Sequence, residues 1–250
     1  IMSVHVAIEI TPEKLRYYSN ESSQFELVEE IPFVNQTDFA YKEVLVETMS
    51  KILKISSIEN MTCSYVSPFF TLVPTSLFSS SKPETLLGFS VHKEIPKDNV
   101  EYNRLQEWNA VLIYELPLWI KSVLVPKFPR IIIQHELSHS LRYLNSGSLA
   151  LPKMMITLNE NSFSIATRNN GEIVHCSFQE FQNEDDILYH ILMSVEKLNA
   201  LGTIEFVISH GNQSEIAQKL VEKAKRIEQL AKQKFTLSRF QHIQNHSLCV

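Results

Sequence analysis

The five residues His135-Glu136-Leu137-Ser138-His139 carry the sharpest chemical pattern in the chain. Imidazoles four positions apart lie one turn apart on one face of a continuous helix. There both could bind zinc while the glutamate between them activates a water. Ile132-Ile133 before and Leu141 after are of the apolar type such a helix carries. Against this, Ile131-Ile132-Ile133 follows Pro129 and reads as a strand, which puts His135 at a helix entrance and not inside a helix. The residues that follow, Ser140-Leu141-Arg142-Tyr143-Leu144-Asn145, hold no further histidine, and a distant third ligand would fall to Glu160, in a turn. The plain alternative is that Glu136 sits in a helix first turn, where its charge favours the dipole, and that the histidines are partly exposed. A zinc metallopeptidase is therefore the alternative reading, and the principal one assigns no metal.

Composition removes several other chemistries. Only five glycines occur (Gly88, Gly147, Gly171, Gly202 and Gly211), and their positions allow no P-loop, no G-x-G-x-x-G and no nucleophile elbow. Cys63, Cys176 and Cys249 are scattered and odd in number, which argues against a disulfide framework or a zinc ribbon and favours a reducing cytoplasm. A formal charge of −5 argues against a chain-wide nucleic-acid surface. The most apolar run, Val111 to Val125, is interrupted by Glu115, Pro117 and Lys121 and is too short to span a bilayer. No secretory leader is read, although the sequence opens on Ile1.

The elements that must position any site repeat in kind. Ser3–Ile10, Lys14–Ser19 and Gln24–Val34 read as three strands, and Val44, Leu45, Met49, Ile52 and Leu53 predict a helix over 38–58. About 150 residues later, 154–158, 163–167 and 173–178 read as three more antiparallel strands. Asn169-Asn170-Gly171 there is the strongest hairpin signal in the chain. Asn183 then caps a helix carrying Ile187, Leu188, Ile191, Leu192, Val195 and Leu198, with Gly202 as its stop. Between the triplets the pattern predicts a strand or hairpin over 61–73, a short helix over 75–88 and a strand at 110–114. A helix over 118–128, a strand at 130–134 and a helix over 136–144 follow. After the second triplet come a strand at 203–209 and a helix over 214–234. Strand–helix alternation of this kind adds parallel strands to antiparallel hairpins.

Two such βββα runs, together with Tyr65-Val66-Ser67-Pro68-Phe69-Phe70-Thr71-Leu72-Val73-Pro74-Thr75-Ser76-Leu77-Phe78 after the first long helix, carry a resemblance. The chain resembles the actin-like ATPase superfold of actin, sugar kinases and Hsp70. More narrowly, it resembles a bacterial family of unknown function with that fold, known from Bacteroidetes. The resemblance implies an α/β protein with mixed sheets made of duplicated ribonuclease H-like domains. The first would cover 1–148, with an insertion around 61–105, and the second 149–250 with a C-terminal helix.

In active members each domain's first hairpin carries an Asp-x-Gly turn. Its glycine lets backbone N–H groups reach the phosphates, and its acid organises a metal. Here the turns are Glu9-Ile10-Thr11-Pro12-Glu13 and Asn159-Glu160-Asn161-Ser162, with neither glycine nor aspartate. The adenosine turn, usually with paired glycines, corresponds to His210-Gly211-Asn212. If ATP–Mg were held at all, the resemblance would assign it to Thr11, Asn159, Asn161 and Gly211. ATP hydrolysis is not expected.

The last helix adds one surface. From Glu215 to Arg239, seven cations (Lys219, Lys223, Lys225, Arg226, Lys232, Lys234 and Arg239) face Glu215, Glu222 and Glu228. A basic face of this kind could meet RNA, anionic lipid or an acidic partner. The expectation is a non-catalytic binding or scaffold module with a degenerate nucleotide site, no required cofactor and a protein partner. The alternatives are an ATP-binding protein with atypical phosphate loops and the zinc hydrolase.

Overall fold

A computed structural model describes residues 4–20, 24–34, 37–55, 57–199, 202–210, 214–232, 234–241 and 243. The chain divides into two compact units, with the boundary between His139 and Ser140.

The first unit opens with β1 (Val4–Ile10), β2 (Lys14–Ser19), β3 (Glu26–Pro32) and α1 (Asp38–Ile52). It continues through β4 (Ile58–Tyr65), β5 (Phe70–Pro74), α2 (Pro83–Val91), β6 (Val100–Leu105) and β7 (Ala110–Glu115). Then come α3 (Leu118–Lys127), β8 (Ile132–His135) and α4 (Glu136–Leu144), whose second half passes into the next unit. The main sheet has the order β3-β2-β1-β4-β8, with antiparallel hairpins on one side and parallel β4 and β8 on the other. Strand alternation sends Val4, Val6, Ile8, Ile10, Leu15 and Tyr17 into one apolar core. Leu45, Met49 and Ile52 of α1 and Ile120, Val123 and Leu124 of α3 cover it.

A separate sheet, β5-β7-β6, is inserted between β4 and β8 and closes its own small core on Leu87, Ile95, Val100, Val111 and Ile113. The strand or hairpin expected over 61–73 is therefore two strands in different sheets, β4 beside β1 and β5 beside β7. The helix expected up to residue 58 stops at Ile52. Residues 58–60 instead belong to β4, because they sit beside β1 in parallel register.

The second unit contains β9 (Lys153–Leu158), β10 (Ser162–Asn169), β11 (Glu172–Glu180), α5 (Glu184–Leu198), β12 (Thr203–His210), α6 (Ser214–Ala231) and β13 (Lys234–Gln241). Its sheet order, β11-β10-β9-β12-β13, follows the same antiparallel-then-parallel plan as the first. Asn170 and Gly171 take φ of 51° and 77°, the left-handed pair that a two-residue hairpin loop demands. Asn183 caps α5, accepting from the N–H groups of Asp185 and Asp186, while the Asp186 side chain reaches back to the Asn183 N–H. The C-terminal stop is Asn199 at φ 44°, not Gly202. The final helix is also shorter than its pattern suggests. Residues 234–241 form the edge strand β13, where Phe235 and Leu237 alternate into the core.

One buried cation anchors the segment between α4 and β9. Arg168, with no exposed surface, donates to the carbonyls of Leu144 (2.6 Å), Ser148 (2.6 Å) and Leu151 (2.9 Å). Beside it Lys153 Nζ meets the Ser146 carbonyl at 3.2 Å and Glu205 at 3.0 Å. No helix among the described residues is long and apolar enough to cross a membrane.

Candidate functional site

The turn between β1 and β2 is closed by Thr11, which is buried. Its hydroxyl accepts from the N–H groups of Glu13 (3.3 Å) and Lys14 (3.2 Å), and its own N–H donates to the Lys14 carbonyl at 3.0 Å. Pro12 has no N–H. Every backbone donor from Thr11 to Lys14 is thus absent or engaged inside the turn. The threonine hydroxyl closes the turn by accepting two of its backbone N–H groups.

The residue at the end of β1 that precedes this turn belongs to a polar row that sequence reasoning missed. Register aligns Glu30, Arg16, Glu9, Ser64 and Gln134 across β3, β2, β1, β4 and β8. Arg16 is buried, with Nε 2.6 Å from Glu30 Oε2 and a terminal nitrogen 4.0 Å from Glu9 Oε2. Tyr18 Oη donates to the same Glu9 oxygen at 2.8 Å. Burial pushes the Tyr18 phenol up, and the Glu9 charge pushes it further, so it stays a donor. Burial tends to raise the Glu30 carboxyl, but hydrogen bonds and charge from Arg16 and Lys14 hold it below the usual range. The Glu9 carboxylate thus accepts from a phenol and lies near a guanidinium that it shares with Glu30. The available signal was strand parity: Glu9, Arg16 and Tyr18 sit on alternate positions opposite the apolar ones.

In the second unit, Asn159 and Asn161 share the β9–β10 turn. Asn159 is buried, and its N–H donates to the Ser162 carbonyl at 2.8 Å. Asn161 is exposed, and its carbonyl receives the Phe181 N–H at 3.0 Å, which fastens the turn to the end of β11. Gly211 lies outside the described residues.

The zinc pattern does not become a ligand pair on one helix. His135 is the last residue of β8 and His139 lies within α4. Both are buried, contrary to the expected partial exposure. His135 Nδ1 accepts the Leu137 N–H at 2.9 Å, which fixes the neutral ring with its proton on Nε2. Nε2 then donates to the Ser67 carbonyl, also at 2.9 Å. The Ser67 N–H, 3.3 Å from that nitrogen, faces a protonated position and is not its partner. No lone pair of His135 remains for a metal. Burial lowers its pKa to about 4 against the opposing Ser67 bond, and the rings of Phe70 and Tyr114 flank it at 5.2 and 5.1 Å. Among the described residues no group of three or more His, Cys, Asp or Glu is placed to hold a metal ion.

Asn103 of β6 explains the position of His135. Its amide donates to the Ile133 carbonyl at 3.2 Å and accepts from the His135 N–H at 2.9 Å, pairing with β8 as a neighbouring strand would. The same oxygen accepts from Ser138 Oγ at 2.9 Å.

The basic face of the last helix is also reduced. Lys219 pairs with Glu184 at 2.9 Å and Glu215 at 3.1 Å, and Lys223 pairs with Asp185 at 3.1 Å. Lys234 and Arg239 belong to β13, not to the helix.

The twin sheet orders and covering helices define an actin-like ATPase fold. A crystal structure from Bacteroides thetaiotaomicron, described as a protein with actin-like ATPase fold and unknown function, is similar over 99% of this chain and 96% of its own. The two share 19% identity, with a TM-score of 0.77. The PilM–PilN type IV pilus biogenesis complex is similar over 94% of this chain and 88% of that one, at 11% identity and a TM-score of 0.56. No curated protein matches in sequence. Residues 3–230 match the family described as protein of unknown function (DUF3822), and the chain belongs to that family.

Proposed function

We propose that this chain is a non-catalytic binding or scaffold module of the actin-like fold, built from a duplicated ribonuclease H-like half, whose nucleotide site has eroded. The first hairpin turn carries the reading: Thr11 engages its backbone donors, and Pro12 removes another. The neighbouring acid, Glu9, is met by Arg16 and Tyr18 and is not left to organise a metal. A protein is the ligand class we assign, since the PilM–PilN complex is a protein–protein assembly with which this fold is shared. Cys63 and Cys176 are free thiols, which suits a reducing compartment.

The test is thermal unfolding and calorimetry with Mg–ATP. At about 1 mM nucleotide the melting temperature should stay within about 1 °C of the ligand-free value, and no hydrolysis should be detected. A rise of several degrees would establish a working nucleotide site with unusual loops and overturn the proposal.

A further inference from the structure

We propose that Asn170-Gly171 is a site of spontaneous covalent modification: the folded chain deamidates there, and the isoaspartate formed frees the start of β11 as far as its bulge. This goes beyond the function proposed above and does not depend on whether nucleotide binds.

Of the five glycines, only Gly171 follows an asparagine. The pair makes up the whole loop between β10 and β11, since Asn169 and Glu172 on either side are already register partners. Asn170 is exposed, and among the described residues no hydrogen bond holds its side-chain amide. Asn169 differs: its amide donates to the Leu198 carbonyl at 3.1 Å. Gly171 has open space about its Cα and, lacking a side chain, puts nothing in the way of its own nitrogen.

These are the conditions for an asparagine to close on the next residue. The Gly171 backbone nitrogen, its proton taken by solvent base, attacks the Asn170 side-chain carbonyl carbon. A C–N bond closes a five-membered imide, the bond to Nδ2 breaks, and the nitrogen leaves as ammonia with a proton from water. Water then opens the ring at either carbonyl. Attack at the side-chain carbonyl gives aspartate, and attack at the main-chain carbonyl gives isoaspartate. Ring closure needs the turn to open, and loops open at far less cost than core strands.

The two products differ in consequence. Aspartate keeps the turn, because Asp-Gly suits the same left-handed pair. Isoaspartate lengthens the main chain by one methylene, which a two-residue loop has no room for. β11 ends its sheet and pairs there with β10 alone. Between the turn and the register shift that leaves Val174 without a partner, only Glu172 and Ile173 are paired. Release therefore runs from the turn to that bulge, and the pairing from His175 to Glu180 persists.

The full folded chain is aged at mildly alkaline pH and mapped by peptide mass spectrometry with fragmentation that separates aspartate from isoaspartate. Conversion at Asn170 should exceed that at Asn169, Asn145 and Asn161 severalfold, with isoaspartate among the products. Asn170→Gly, which also suits the turn, should abolish acid formation at this loop. Hydrogen exchange at Glu172, Ile173 and Val174 should be faster in the aged protein than in freshly prepared Asn170→Asp, with 175–180 unchanged. An Asn170 that stays an amide while the urea-unfolded chain converts it, or equal conversion at Asn169 or Asn145, would overturn the proposal. So would exchange in the aged protein that matches Asn170→Asp.

Discussion

His135 commits both ring nitrogens to backbone partners, and this ties its protonation to the stability of the first unit. An unfolded histidine titrates near its ordinary value of 6.5, whereas burial holds the folded one at about 4. Between those values the unfolded chain takes a proton that the folded chain refuses, so stability falls as pH is lowered through that window. The loss should reach about 3 kcal/mol. Urea midpoints measured at intervals from about pH 7 to about pH 4 should show this slope, and His135→Gln, less stable at neutral pH, should lose that component of it. Arg168 makes the complementary prediction for the second unit. Arg168→Met leaves the carbonyls of Leu144, Ser148 and Leu151 without their donor and should cost about 3–5 kcal/mol in urea unfolding. Neither role could be read from the sequence. A histidine in H-E-x-x-H looks the same whether or not a backbone N–H faces its Nδ1, and an arginine in an alternating strand gives no sign of being wholly buried.

Among the elements, legibility followed local chemistry. The α5 start was plain because Asn183 and Asp186 announce a capping box, and the β10–β11 hairpin was plain because Asn170-Gly171 suits its left-handed turn. Asn183→Ala should lower stability by about 1 kcal/mol, read as a shift in urea midpoint with unchanged slope. Where the outcome depended on distant partners, the pattern misled. The helix was read on to residue 58, but residues 58–60 pair with β1, at the start of the chain. Lys234 to Gln241 extend a charged helical run, yet parallel pairing with β12 makes them a strand. No strand was read at Val100 to Leu105, which shows its strand character only beside β7. The polar row through Glu9 was missed for the same reason: its members come from five strands, and only register brings them together.

For the whole chain, the actin-like order was legible because it is written twice, in two triplets of strands each followed by a helix. The proposed loss of a nucleotide site rests on a few hydrogen bonds at Thr11, far below the scale at which the fold is recognised. The inserted sheet carries a consequence for anyone who would reduce the protein to its two five-stranded sheets and their helices. β8 lies at the margin of its sheet, and Asn103, arriving from the insertion, is what keeps the Ile133 carbonyl and the His135 N–H from standing open. A shortened chain that lacked the inserted strands β5, β6 and β7 but kept α3 would bare that margin as a template for strands of other molecules. Trimming would then yield insoluble material where a simpler domain was sought.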